Sequence, residues 1–157
     1  NPNTINILSK YQFDVGIVYG TGKIHNDIIS KCRFPLLNLH GGNPEEYRGL
    51  DSHLWAIYHR DFNSIVACLH YIDDELDTGD IVLQTNVPIT YKMQLHELRA
   101  KTCLECINLC LIALNILEKG LSLPRRKQLR KGRYYSSIPD QLLASCKKRF
   151  AKWSSSI

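Results

Sequence analysis

The sequence contains no uninterrupted apolar run of about 18 residues, the length that a membrane-spanning helix requires. It also shows no charged and then apolar leader of the secretory type, no internal repeat and no low-complexity segment. These absences argue against a membrane span, a secreted protein and a repeat architecture. The composition, with 44% hydrophobic and 22% charged residues over 157 positions, is ordinary for one soluble globular domain. We therefore expect a cytoplasmic protein without a membrane partner.

Six cysteines are scattered among apolar positions. Because a chain of this length can bury its own core, we expect reduced thiols rather than a disulfide framework. The segment CLECINLC brings three of the cysteines together and raises the question of a metal site. At helical spacing, however, Cys103, Cys106 and Cys110 share one face with Leu114 and Leu117, and no fourth ligand of suitable spacing follows. The pattern predicts core filling and no metal.

Acidic residues are almost absent from the last part of the chain. Residues 1–118 hold 9 Lys and Arg and 14 Asp and Glu, whereas residues 119–157 hold 11 Lys and Arg and only Asp140. Such a basic tail can meet nucleic acid or a phosphate-bearing substrate, and it can equally be a solvated surface beside the core. We predict a core of residues 1–120 and a basic extension of residues 121–157.

Helical and strand patterns alternate along the chain. The predicted helices are NTINILSKYQ, HNDIISKC, SHLWAIYHRD and MQLHELRAKTCLECINLCLIALNILEKG, the last ended by Gly120. The predicted strands are FDVGIVYG, PLLNLH, SIVACLHYI and DIVLQTNVPI. Continuous apolar strands alternating with helices predict an α/β fold with a mainly parallel sheet and helices on both faces. The long helix, residues 94–117, either covers the chain's own sheet or packs on a second copy in a homodimer.

Polar residues follow three of the predicted strands. They are the pair Tyr19 and Gly20, the stretch Asn38 to His40, and the loop from Asp73 to Asp77. In open α/β sheets, ligands bind beyond the carboxyl ends of the strands. We therefore expect these three groups to converge at one site.

Asn, His and Asp together suit the transfer of an acyl group to an amine. The imidazole exchanges a proton near neutral pH, and a neighbouring carboxylate raises its affinity for that proton. The Asn amide donates a hydrogen bond to the oxyanion that develops at the attacked carbonyl, while the carboxylate helps remove the amine proton. No Ser or Cys nucleophile is required. Asn-x-His alone is a weak signal, because a His at a strand end is often purely structural.

A longer comparison of motifs strengthens this interpretation. The stretch NLHGGNPEEYRGLDSHLWAIYHRDF, followed by HYIDDELDTGDIV, resembles the catalytic core of the folate-dependent formyltransferases. That family carries an Asn-x-His at a strand end, then Tyr-Arg-Gly, then a Leu-Asp-x-Gly loop, in this order. The resemblance extends over about residues 11–120 and implies a Rossmann-like formyltransferase fold with 10-formyltetrahydrofolate as formyl donor and no metal.

The resemblance also implies roles for individual residues. Asn38 would bind the formyl oxygen, His40 would stabilise the oxyanion as the imidazolium, and Asp77 would pair with His40 and assist proton removal. Tyr47 and Arg48 would face the acceptor, and loop bracing is the alternative role for Arg48 and Asp77. The folate would lie between two segments whose residues are Gly20, Thr21, Gly22, Lys23 and Ile24 on one side, and Ile72, Asp73, Asp74, Glu75 and Leu76 on the other.

The acceptor is harder to infer. The tail QLRKGRYYSSIPDQLLASCKKRF resembles the end of nucleotide-linked aminosugar N-formyltransferases of surface-glycan biosynthesis, which favours a dTDP-linked 3- or 4-amino-4,6-dideoxy sugar as the small-molecule substrate. A nucleic-acid partner is less favoured, because the residues after Gly120 are too few for the oligonucleotide-binding barrel of the tRNA enzymes. Two alternatives remain open: an enzyme for methionyl-tRNA or another amine, and a truncated, inactive remnant.

Three features depart from the family pattern or compete with it. The first βα units of the family are missing, so we expect a chain that lacks its amino-terminal part. The position usually small and hydroxylated after the catalytic His is Gly42, which predicts one lost hydrogen bond near the folate. GTGK resembles a phosphate-binding loop, but Ile17 and Ile24 stand where such a loop needs Gly and Ser or Thr. Lys23 is therefore expected at the folate edge or in solvent.

Overall fold

The computed structural model describes residues 2–157, without the side chains of residues 2, 3 and 9. The helices are α1 (Pro2–Lys10), α2 (Asn26–Ile29), α3 (Ser52–His59), α4 (Leu95–Glu118) and α5 (Asp140–Ser154), with a 3-10 turn at Phe62–Ser64. The strands are β1 (Gly16–Tyr19), β2 (Leu36–His40), β3 (Tyr47–Gly49), β4 (Val66–Tyr71), β5 (Ile81–Asn86) and β6 (Arg133–Tyr135). The predicted α/β class and the eight predicted elements are confirmed.

The main sheet has the strand order β1-β2-β4-β5. Parallel pairing, which the sequence predicted for most of the sheet, joins β1 to β2, whereas β4 runs antiparallel to both β2 and β5. The short connection between β4 and β5 explains the antiparallel pairing of these two strands, because a parallel neighbour would need a crossover of roughly a dozen residues or more. A second, two-stranded sheet pairs β3 with β6 in parallel.

The larger core lies between the main sheet and α4. Leu37 and Leu39 point from β2 into this core, where they meet Leu69, Cys106 and Leu109. Cys106 is buried and Cys110 packs beside it, so the predicted core filling is confirmed for these two cysteines. All six thiols are free, as expected for a reduced protein.

A second core joins the tail of the chain to its middle. Phe150 and Cys146 of α5 are fully buried there against Ile57 of α3, together with Met93 and Leu98. Strand β6 pairs with β3 nearby. Residues 121–157 therefore form regular elements that pack against residues 1–120.

Helix α4 has one buried face and one exposed face, and both carry apolar side chains. Its buried face, which includes Cys106, Leu109 and Ala113, covers the sheet. The opposite face exposes large apolar side chains, namely Leu104, Ile107, Leu111, Ile112 and Leu114. By length and composition, α4 meets the criteria of a membrane span, contrary to the sequence expectation, although part of the same segment packs against the chain's own sheet. The expected absence of a membrane partner stays a prediction.

Candidate active site

A cavity of about 720 Å³ lies beyond the carboxyl ends of β1 and β2. Four segments line it: the loop after β1, the turn from Gly49 into α3, the loop after β4, and the first turns of α4. Most of the predicted site residues are among its walls, namely Gly20, Thr21, Gly22, Lys23, Ile24, Asn38, His40, Ile72, Asp73, Glu75, Leu76 and Asp77. Asp74, Tyr47 and Arg48 do not line it.

Asn38 and His40 reach this cavity from one strand. Side chains alternate along β2, so these two polar residues share a face, while Leu37 and Leu39 enter the core from the other face. The Asp77 side of the site is built differently from the expectation. Because β4 is antiparallel, its carboxyl end, Tyr71, pairs with Leu37 at the far end of β2. Only the return of the β4–β5 loop brings Asp77 back to His40.

Asp77 is the centre of the polar network. It is 5% exposed and has a left-handed backbone, with φ of 55°. Its Oδ2 accepts a hydrogen bond from the Gly49 amide at 2.8 Å, and its Oδ1 accepts one from Asn38 Nδ2 at 3.1 Å. Burial alone would raise the pKa of Asp77, but the contacts with His70, His40 and Gly49 outweigh it and lower the pKa to about 2. The carboxylate is therefore ionised at neutral pH.

His40 faces an acceptor on each side of its ring. Nδ1 lies 3.7 Å from Asp77 Oδ2, and Nε2 lies 3.1 Å from the carbonyl oxygen of Tyr47. Both contacts suit the protonated ring, since a carboxylate and a carbonyl oxygen accept protons in hydrogen bonds. Burial nevertheless lowers the pKa of His40 more than the Asp77 charge raises it. The net direction is opposite to the one expected from the carboxylate alone.

Ser52, at the start of α3, occupies the space that Gly42 leaves open. A Cβ on residue 42 would lie 2.4 Å from the Cβ of Ser52. The Ser52 hydroxyl lies 3.2 Å from His40 Nε2, so it can supply a hydroxyl to this side of the ring. No sequence pattern indicated this role, because Ser52 is separated from His40 by two loops and a strand.

His70 is a buried member of the network that sequence reasoning missed. It stands opposite Asn38 in the β2–β4 register and is 2% exposed. Its Nδ1 donates to the carbonyl of Tyr71 at 2.7 Å, and its Nε2 lies 3.2 Å from Asn38 Nδ2 and 3.5 Å from Asp77 Oδ1. A polar residue inside the apolar run SIVACLHYI was the available signal.

Arg48 and Tyr47 brace the loops around the site. Arg48 donates to the carbonyl oxygens of Leu76 and Gly132 at 2.8 and 2.6 Å. Tyr47 is 7% exposed, and its ring packs near those of His59 and Tyr135. The predicted role of both residues in acceptor binding stays a prediction without support from these contacts.

Helix α4 contributes further cavity residues that the sequence did not single out. Arg99 and Thr102 line the cavity one helical turn apart. The Thr102 hydroxyl lies 3.1 Å from Nδ1 of His53, whose Nε2 donates to the carbonyl of Val66 at 2.8 Å. Burial lowers the pKa of His53 to about 4, although the hydrogen bond to Val66 opposes this shift. His53 is therefore neutral at physiological pH.

Comparisons with known proteins show the family to which the chain belongs. A family model described as formyl transferase matches residues 1–106, and the chain belongs to this family. Among curated proteins, the chain is 32% identical over 90 residues to methionyl-tRNA formyltransferase of Trichodesmium erythraeum. It is 27% identical over 128 residues to the mitochondrial methionyl-tRNA formyltransferase of Homo sapiens. These alignments cover 57% and 81% of this chain and 26% and 33% of the relatives.

Solved structures share the fold. A 4-N formyltransferase from Francisella tularensis matches 85% of this chain at a TM-score of 0.71 and 22% identity, with 53% of its own length covered. The formyltransferase PseJ from Anoxybacillus kamchatkensis, in complex with UDP-4,6-dideoxy-4-formamido-L-AltNAc and tetrahydrofolate, matches 78% at a TM-score of 0.67 and 26% identity, with 64% covered. The chain thus spans about a quarter to a third of the first curated relatives and about half of the first solved structures.

Proposed function

We propose that this chain transfers a formyl group from 10-formyltetrahydrofolate to the amine of a nucleotide-linked amino-deoxysugar. The observation that carries the proposal is the convergence of Asn38, His40 and the ionised Asp77 at one cavity. An amide, an imidazole and a carboxylate in contact supply an oxyanion donor and a route for the amine proton. Nothing in this chemistry requires an enzyme nucleophile.

The cavity suits a folate in size and lining. Its volume of about 720 Å³ falls in the range of roughly 300 to 1,000 Å³ that small-molecule sites occupy. Two loops frame it, Gly20–Ile24 and Ile72–Leu76, and the second is fixed internally by the Thr78 hydroxyl, which donates to Asp73 at 2.6 Å. The donor would supply an activated formyl group between these loops. Asp74 is exposed and does not line the cavity, so its predicted part in folate binding lacks this support.

The chain's own residues divide the work between charge stabilisation and proton removal. His40 is held between Asp77 and the Tyr47 carbonyl. In its protonated form, His40 would stabilise negative charge at the formyl oxygen. Asn38 would donate to the same oxygen. Both contacts of its amide nitrogen are with Asp77 and His70 in this structure, so binding requires it to exchange one of them. Asp77 would assist removal of the amine proton.

An aminosugar acceptor is favoured by the solved structures of similar fold. Among them are the 4-N formyltransferase of Francisella tularensis and PseJ, whose complex holds a UDP-linked formamido sugar. The preferred nucleotide of this acceptor remains dTDP, because the tail resembles the end of nucleotide-linked aminosugar N-formyltransferases. Cytoplasmic location, a role in surface-glycan biosynthesis and a possible homodimer through α4 belong to the same proposal.

Methionyl-tRNA is the second candidate acceptor. The observation that favours it is the sequence similarity to methionyl-tRNA formyltransferases of several organisms. A comparison of formylated product from a dTDP-linked 4-amino-4,6-dideoxyglucose and from methionyl-tRNA, at equal folate, separates the two. Product with the tRNA alone would overturn the sugar proposal, and binding of folate without product from any amine would favour the inactive remnant.

The first test is folate binding by the chain itself. A ligand that binds only the folded state raises its stability by mass action, so saturating 5-formyltetrahydrofolate should raise the Tm of the wild type. Asp77→Asn should weaken this shift, and it spares the backbone because Asn tolerates φ of 55°. Asp74→Asn is the matched control, since Asp74 is exposed in the same loop. No shift in the wild type would show that the chain lacks a formed folate pocket.

Turnover is the second test. His40→Ala and Asp77→Asn should each lower kcat for formyl transfer by at least about a hundredfold, the range for lost oxyanion or acid–base groups. Circular dichroism should show that both variants remain folded, and Asp74→Asn should keep wild-type turnover. Retained turnover in both His40→Ala and Asp77→Asn would contradict the proposed mechanism.

A further inference from the structure

A second cavity, of about 560 Å³, lies between the end of α3 and one face of α5. It shares no lining residue with the first cavity. Its walls are Arg60, Phe62, Ser145, Lys148, Arg149, Lys152, Trp153 and Ser156. Nothing in the formyl-transfer chemistry uses this part of the molecule.

The charge of this second cavity is of one sign. Four of its eight lining residues are cations and none is a carboxylate. Lys148, Arg149 and Lys152 project from one face of α5, because positions three and four apart in a helix are neighbours, and Arg60 faces them from the end of α3. Gathered like charges repel each other and create a positive potential that attracts an anion.

The four cations of the second cavity differ from four other cations, which lie in the basic tail. Arg125, Arg126, Arg130 and Lys131 each form an ion pair with a carboxylate, respectively those of Asp80, Glu45, Glu46 and Glu75. Within the part of the chain that the structure describes, Arg60, Lys148 and Lys152 have no ion-pair partner, and Arg149 lies over the ring of Tyr58 at 4.6 Å. Of the six cations of residues 121–157 without an ion pair among the described residues, three therefore line the second cavity, namely Lys148, Arg149 and Lys152.

Aromatic rings accompany the cations. Phe62 and Trp153 stack with ring centroids 4.3 Å apart and planes within 3° of parallel. Both are half-buried and both line the cavity. Cations beside aromatic surface match a ligand that combines phosphates with a flat ring system.

We propose that the second cavity binds a nucleoside diphosphate, with the phosphates at Lys148, Lys152 and Arg60 and the base against the Phe62 and Trp153 rings. A cavity of this volume accommodates one nucleotide. A single-stranded nucleic acid would instead need an extended groove with successive stacking rings, and four tail cations outside this cavity are already in ion pairs. The site would hold a nucleotide apart from the formyl-transfer cavity.

The test compares two adjacent lysines by isothermal titration calorimetry with ADP and UDP. Lys148 lines the cavity and Lys147 does not, although both are exposed on α5. Because each lost phosphate contact at a partly exposed site weakens binding by about five- to tenfold, Lys148→Gln and Lys152→Gln should each do so, and Lys147→Gln should have little effect. In a Trp55→Phe background, nucleotide should change the fluorescence of Trp153.

Several outcomes would overturn the proposal. The proposal is wrong if ADP and UDP do not bind at millimolar concentration. It is also wrong if Lys147→Gln weakens nucleotide binding as much as Lys148→Gln does. Inorganic pyrophosphate that binds as tightly as ADP would show that the rings contribute nothing to recognition. An octauridylate RNA that binds more tightly than UDP, with the same lysine dependence, would assign the surface to single-stranded RNA instead.

Discussion

Two histidines of the first cavity are held in the neutral form by their surroundings. Burial lowers the pKa of both His40 and His53, that of His53 to about 4. In the unfolded chain these rings take up protons below about pH 6.5. The unfolded state therefore binds more protons than the folded state between the two pKa values, and the fold loses stability as the pH falls through this window. Asp77, with its pKa lowered to about 2, adds a loss only below its unfolded pKa of about 4.

His53→Gln should make the protein less sensitive to acid. The variant removes a group that is neutral in the folded state and protonated in the unfolded state. Between pH 7 and pH 4 the free energy of unfolding should fall in both proteins, and the fall should be smaller in the variant by about 1 to 3 kcal/mol. Urea unfolding at both pH values measures the difference. Parallel loss in the two proteins would show that His53 already takes up its proton in the folded state.

The loop between β4 and β5 brings Asp77 to the site. It turns so closely that a Cβ on Gly79 would lie 1.9 Å from the carbonyl oxygen of Tyr71. Arg48 donates a hydrogen bond to the carbonyl oxygen of Leu76, and Gln128 donates to the carbonyl oxygens of Asp77 and Gly79 at 3.0 and 2.9 Å. The position of the Asp77 carboxylate thus depends on a glycine contact and on hydrogen bonds from two distant segments.

Gly79→Ala should destabilise this loop. The added methyl group overlaps backbone rather than a movable side chain, and forced overpacking of this kind costs roughly 1 to 3 kcal/mol. Gly22→Ala is the matched control, since a Cβ at residue 22 meets no atom within 4 Å. The free energy of unfolding in urea should fall for Gly79→Ala alone. Equal values for the two variants would mean that the loop moves without cost.

At the scale of the whole molecule, the basic tail is joined to the acidic remainder of the chain by both charge and packing. Its cations pair with Glu45, Glu46, Glu75 and Asp80, which explains part of the uneven charge in the sequence. These exposed pairs are individually weak, typically below about 1 kcal/mol. The apolar contacts of α5 in the second core are the stronger connection.

Phe150→Ala should be among the most damaging single changes in the tail. The side chain is 0% exposed, and truncation of a buried Phe costs about 3 to 5 kcal/mol. Lys147→Ala, on the exposed face of the same helix, should change stability by less than about 0.5 kcal/mol. Thermal unfolding compares the two. A loss below 1 kcal/mol for Phe150→Ala would show that residues 121–157 are an independent extension, as the predicted boundary at 120 implies.

Local patterns were sufficient for much of the fold and for the centre of the site. Alternation in PLLNLH placed Leu37 and Leu39 in the core and Asn38 and His40 on the opposite face. Residues adjacent in sequence carry this information, because side chains in a strand alternate in direction. The direction of β4 could not be read in the same way, since an apolar run has the same appearance in parallel and antiparallel strands.

The contacts of side chains with distant segments also lay beyond the sequence. Ser52 beside His40 depends on the space that Gly42 leaves, and His70 beside Asn38 depends on the β2–β4 register. Arg48 is of a residue type that often binds substrates, yet its guanidinium donates hydrogen bonds to the carbonyl oxygens of Leu76 and Gly132. Each of these relations joins positions that only folding brings together.

The sequence by itself determined the α/β class, the family and the three polar residues at the site, because periodicity and motif spacing are properties of neighbouring residues. Tertiary structure decided the direction of β4, the neutral state of His53 and the packing of the tail into a second core. It also separated the paired cations of the tail from those that line the second cavity. Burial, desolvation and ion pairing arise between segments far apart in the chain, so these properties appear only when the segments pack.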